Sequence, residues 1–184
     1  MQTQTKTMLS LLVAATLAAC SPAGPAAGSA PIGWTIYLDT SYGFTFAYPP
    51  EGQVTDRQDG YARIGSLPIA PDTTLVEKYI EVNISPAAYP CPTPTLNTET
   101  ASAPQELIAN GLTFLQQTGG GVATGNIYEW VAYSTQKGGV CASLTFVLHY
   151  TDPANYVNPP AVFDRGAEEQ IFTTILGTFR WTSP

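Results

Sequence analysis

Charge is scarce in this chain: Lys, Arg, Asp and Glu make up 11% of its 184 residues, against roughly 25% in ordinary soluble domains. Seven Lys and Arg stand against fourteen Asp and Glu, a net charge of −7. No basic run is available to neutralise a phosphate backbone, so nucleic-acid recognition is disfavoured. One histidine and three cysteines leave little material for imidazole catalysis or a zinc site. No apolar run approaches the roughly 20 residues that a spanning helix needs. The 44% hydrophobic content nonetheless suffices for a packed core. The length suits one domain.

The first twenty residues carry the most specific signal. Lys6 precedes an apolar stretch from Met8 to Ala19, interrupted only by Ser10 and Thr16. Such a stretch is too short to cross a hydrocarbon core of about 30 Å and reads as an export signal. It ends in Leu17-Ala18-Ala19-Cys20, which resembles the bacterial lipobox. That resemblance implies cleavage before Cys20 and acylation of its thiol, with anchoring of about 0.8 kcal/mol per buried methylene. Ser21 follows where an aspartate would retain such a protein at the inner membrane. The expected organisation is a signal peptide over 1–19, a lipidated cysteine with a flexible Pro/Ala/Gly/Ser tether over 20–32, and one globular domain over 33–184. Loss of Lys6 takes the anchored form to a charge of 6 − 14 = −8.

Cys91 and Cys141 then remain in an exported, oxidising setting, and a disulfide between them is expected. Neither has a Cys or His within four positions, which fits no zinc pattern. His149 shares strand parity with Cys141 but would lie about 26 Å from it along an extended chain, too far to activate a thiol.

Period-two alternation and turn residues indicate a β-rich domain. Tyr42, Phe44, Phe46 and Tyr48 alternate along one strand, which Pro49-Pro50 ends. Asp59-Gly60, Asn110-Gly111 and Lys137-Gly138-Gly139 are hairpin cues. Strands are expected over 75–84, 106–109, 112–117, 126–135 and 140–150, joined largely as an antiparallel meander. Gly119-Gly120-Gly121 reads as a chain break, and Pro86–Pro104 as a loop pinned by the disulfide. Phe163, Ala167, Ile171, Ile175 and Phe179 recur every four residues and predict an amphipathic helix. Asn158 before Pro159-Pro160 is the candidate cap, Gly177 the terminator, and Thr178–Trp181 a final short strand. The expected class is α+β: an antiparallel sheet with packed helices.

The opening Tyr42–Pro49 strand and the closing Ile175-Leu176-Gly177-Thr178-Phe179-Arg180-Trp181 segment resemble the PsbP-like family, named for an extrinsic photosystem II subunit and represented among bacterial lipoproteins. The resemblance spans residues 34–182 and implies an α/β/α sandwich. Its motifs pack the core and carry no catalytic signature. Pro86–Pro104 occupies the place where a second helix would lie.

The candidate chemistry is thin. Gly119–Gly125 lacks the Gly-Lys-Ser/Thr ending of a phosphate loop and precedes a strand. Asp152, Asn155 and Asn158 lack the glycine and closing glutamate of a calcium loop. Glu168 and Glu169 diverge by about 100° on a helix, which suits a solvated face. His149 reads as a backbone-bonded strand-end residue or, with Tyr128, Trp130 and Tyr133, as part of an aromatic ligand-binding face. No catalytic residue, metal or cofactor is assigned. The expectation is a monomeric, non-enzymatic accessory lipoprotein on the extracytoplasmic side of a bacterial membrane. Its partners would be the bilayer, through Cys20, and another envelope protein. The alternative is a small-ligand or sensing module using the aromatic face near His149. A protein-binding module predicts an exposed apolar patch, and a ligand carrier a pocket between sheet and helix.

Overall fold

A computed structural model describes residues 28–87, 89–92 and 101–182. The expected signal peptide, Cys20 and most of the expected tether lie outside these residues. Strands β1 (Thr35–Asp39), β2 (Phe44–Tyr48), β3 (Gln53–Gln58), β4 (Tyr61–Gly65) and β5 (Leu75–Pro86) come first. β6 (Gln105–Ala109), β7 (Leu112–Ala123), β8 (Asn126–Lys137) and β9 (Val140–Thr151) follow, then helix α1 (Arg165–Gly177) and β10 (Arg180–Trp181). One sheet has the order β1-β2-β10, the other β3-β4-β5-β9-β8-β7-β6. Every pairing between these strands is antiparallel.

The helix-packed α+β class is therefore overturned, and with it the α/β/α layering. The described residues hold two antiparallel sheets and a single α-helix. Beside α1, the layer that helices were expected to fill is supplied by the small sheet, whose β10 contributes only two residues.

Local turn chemistry sets the long hairpins. Asn110-Gly111, Thr124-Gly125 and Gly138-Gly139 all have positive φ at both positions and form the two-residue loops of β6–β7, β7–β8 and β8–β9. That backbone matches the twist of paired strands. β5 is the non-local partner: it lies along β9 from Leu75↔Tyr150 to Pro86↔Val140. The disulfide between Cys91 and Cys141, with Cα atoms 5.6 Å apart, ties the segment after β5 to the start of β9.

One face of the large sheet carries Ala62, Ile64, Ile80, Val82, Phe114, Leu144, Phe146 and Leu148, all in the main buried cluster. Phe172 stacks on Phe146 at 4.7 Å from the helix side. Phe179 bridges the sheets, stacked on Phe44 at 5.5 Å and edge-on to Phe114 at 5.6 Å. The opposite face has a smaller cluster of Tyr79, Trp130, Ala132 and Val147.

α1 begins later than the apolar stripe suggests. Asp164, not Asn158, is the N-cap, its carboxylate accepting from the Ala167 amide, which satisfies one of the otherwise unpaired first-turn donors. Phe163 precedes the helix and Phe179 follows it. Gly119–Gly121 does not break the chain either. It lies inside β7, in register with Tyr128–Trp130 of β8.

Candidate functional site

A concavity lies where α1 meets β7, β8 and β9. It has a volume of about 510 Å³ and is bordered by Thr118, Gly119 and Gly120 of β7, Glu129, Trp130 and Val131 of β8, Phe146 and Leu148 of β9, and Arg165, Glu169 and Phe172 of α1. Strand alternation puts Thr118 and Gly120 on the helix-facing side, and the missing side chain at Gly120 leaves the sheet low at this point. The volume falls in the range of roughly 300–1,000 Å³ typical of small-molecule sites.

Its polar groups form a defined set. Arg165, in the first turn of α1, makes an ion pair with Glu129 and donates from Nη2 to the Tyr150 hydroxyl at 2.8 Å. Tyr150 in turn donates to Oε1 of Glu129 at 2.6 Å. The guanidinium also lies 5.1 Å from the Tyr150 ring centre. Arg165, Glu129 and Tyr150 thus satisfy one another. Burial, reinforced by Asp152, holds the Tyr150 phenol above its ordinary pKa. Tyr133 is raised too, first by burial and then by the Glu169 carboxylate; the bond it accepts from Gln116 at 3.3 Å pulls the other way.

Glu168 and Glu169 do not share a solvated face. Glu168 is buried and pairs with Lys78 of β5 beneath the helix, whereas Glu169 is exposed at the groove.

The outer face of the large sheet holds a second polar cluster. Tyr128 and His149, cross-strand partners, stack at 4.4 Å with an 8° interplanar angle. Nε2 of His149 lies 3.0 Å from Oδ1 of Asn126, and Nδ1 lies 3.9 Å from Oε2 of Glu77. Glu77 accepts a 2.8 Å bond from Arg63, whose guanidinium sits 3.8 Å from the centre of the Tyr79 ring. Tyr128, Trp130 and His149 therefore fall on one face, while Tyr133 joins the core on the other, edge-on to Phe146 at 6.0 Å. The four do not form one aromatic surface. Trp130 is buried, its ring lying over Gly119. His149 is bonded to side chains rather than backbone.

Sequence reasoning missed Glu129, Arg165, Glu169 and Thr118. No motif marks them, because they come from three elements joined only by tertiary packing. The glycine run was the one available signal.

No family model matches the chain, and no curated protein matches it. A solved structure is similar in fold. It is a protein of Bacteroides thetaiotaomicron VPI-5482, with a TM-score of 0.51 and 11% identity, matched over 80% of this chain and 48% of that one. The chain thus spans about half the length of that protein. At this identity the likeness concerns fold alone.

Proposed function

We propose that this chain is a non-enzymatic binding module, anchored through acylated Cys20 on the extracytoplasmic side of a bacterial membrane, that holds a small ligand in the groove between α1 and the large sheet. The groove itself carries the reading: a concavity of about 510 Å³ with Val131, Phe146, Leu148 and Phe172 at its apolar part and Glu129, Arg165 and Glu169 at its polar part. An apolar lining with a few placed polar groups is the usual make-up of a ligand site. The site thus moves from the aromatic face near His149 to the other side of the sheet. The lipobox-like Leu17–Cys20 segment supports the location, and no helix among the described residues is long and apolar enough to cross a membrane.

The test uses the full-length protein extracted in detergent. Intact mass reports acylation at Cys20. A thermal-shift panel of small amphiphilic compounds, run in parallel on Thr118→Trp, reports binding. Thr118 is exposed at the groove, so the indole fills the space without entering the core. Stabilisation of the wild type that the variant loses supports the reading; equal responses in both overturn it.

An accessory role toward another envelope protein is the second reading. Ile36 and Leu38 favour it: both are apolar, 58% and 48% exposed, and lie on the edge strand β1.

A further inference from the structure

We propose that the groove selects a small organic cation, an ammonium group carried on an apolar body. The inference rests on reading the groove as a ligand site and adds the chemical class of the ligand.

The argument starts from charge. Two carboxylates, Glu129 and Glu169, and one guanidinium, Arg165, border the groove. Arg165 is already committed to Glu129 and to the Tyr150 hydroxyl, so it offers little to an incoming anion. Glu169 is in no ion pair among the described residues. The other described cations are placed elsewhere: Arg57 near Asp39, Arg63 on Glu77, Lys78 on Glu168, Arg180 on the Gly28 carbonyl, and Lys137 at the far end of β8. Glu169 therefore has no ion-pair partner among the described residues, and the three charged groups of the lining sum to one negative charge. The Tyr133 hydroxyl feels the Glu169 charge from the sheet side.

The rest of the lining decides between kinds of cation. A hard metal ion takes six or more oxygen ligands at about 2.0–2.6 Å. Here only two carboxylates are present, one of them committed, beside Val131, Phe146, Leu148 and Phe172. That surroundings suits an ion carrying its own apolar surface. The ammonium would sit at Glu169 and the hydrocarbon body over the apolar part of the lining. The net negative charge, −7 for the whole sequence and 6 − 14 = −8 without Lys6, favours approach of a cation from solution.

The experiment is calorimetric titration of the full-length, detergent-extracted protein with three probes of one shape: 2-phenylethylamine, 2-phenylethanol and phenylacetate. The amine is expected to bind at least tenfold tighter than the alcohol, and the acid more weakly than either. Added salt should shrink the preference, since Glu169 is exposed. Glu169→Gln should remove the preference, bringing the amine to the level of the alcohol, and Thr118→Trp should abolish binding of all three. Two outcomes overturn the inference. Equal or tighter binding of the alcohol or the acid, still lost in Thr118→Trp, leaves the groove as a ligand site but rejects a cation as its ligand. Absence of any binding sensitive to Thr118→Trp rejects the groove as well.

Discussion

Lys78 and Glu168 pair in the interior, on β5 and α1, with side chains only 1% and 7% exposed. Lys78 is among the largest fully buried side chains described, alongside Phe44, Phe46 and Phe146. Two charges taken from water recover their desolvation only through each other, so losing one strands its partner. Lys78→Met is expected to lower unfolding stability by about 3–5 kcal/mol, the usual range for a broken buried pair. The double variant Lys78→Met/Glu168→Leu should recover most of that loss or exceed the wild type. Urea unfolding of the three proteins checks it. A double variant no better than Lys78→Met would mean that the pair is not the isolated unit described.

A second close relationship joins Gly119 and Trp130. They face each other across β7 and β8, and a Cβ at Gly119 would come within 2.2 Å of the indole. Gly119→Ala must displace the ring, and overpacking of this kind costs about 1–3 kcal/mol. In Trp130→Ala the added methyl meets no ring. The Gly119→Ala penalty measured in that background should therefore fall toward zero or reverse. Equilibrium unfolding of the double-mutant cycle reads the coupling directly. Additive penalties would contradict the packing.

Gly119 also marks where local signals stop being informative. Asn110-Gly111 and Gly138-Gly139 are readable as hairpins because positive φ is a property of those residues themselves. The same residue type at 119–121 reads as a break when taken locally. Its actual reason, the Trp130 ring and the ladder to β8, lies across the sheet. The long register of β5 on β9 is equally invisible, since nothing in Leu75–Pro86 names a partner more than 50 residues away. Cys91 and Cys141 do hint at it, and the disulfide lies where β5 ends and β9 begins. The helix-packed expectation follows the PsbP-like resemblance rather than any second helical stripe; the final short strand is legible, but nothing local says that β10 pairs with β2 to complete a second sheet. Glu168 shows the limit of an apolar stripe: counting hydrophobic positions cannot reveal a buried acid whose lysine is 90 residues earlier. The groove inherits the same difficulty, because Glu129, Arg165 and Glu169 meet only after α1 has docked.

The Cys91–Cys141 bridge spans 50 residues of sequence and encloses β6, β7 and β8. In the chain-entropy description, closing a loop of that length in the unfolded state contributes about 4 kcal/mol. The paired replacement Cys91→Ser/Cys141→Ser should lose stability of that order, with the β5–β9 ladder still formed under native conditions. Unfolding midpoints with and without reductant give an independent check: reductant should bring the wild type to the level of the variant and leave the variant unchanged. A variant as stable as the wild type would place the stability of this region elsewhere.

Tyr79 supplies a pH dependence with a definite sign. Its phenol is pushed up to about 12, first by burial and then by the Glu81 carboxylate, with Arg63 acting in the opposite direction. An unfolded tyrosine titrates near 10, so the native state holds this proton more tightly than the unfolded chain. The stability contributed by the neutral phenol is fully present below about pH 10 and is lost as pH rises from there through about 12. Tyr133, Tyr150, Tyr48 and Tyr37 are raised in the same direction, so the alkaline fall in stability is a sum, and only a difference isolates one residue. Urea unfolding of wild type and Tyr79→Phe between about pH 8 and 12 is expected to give curves that run parallel below about pH 10, with the wild type falling relative to the variant above it, because the variant has no phenol to ionise there. Curves that stay parallel throughout would mean that Tyr79 titrates like an exposed phenol and that burial on the outer face of the sheet does not hold its proton.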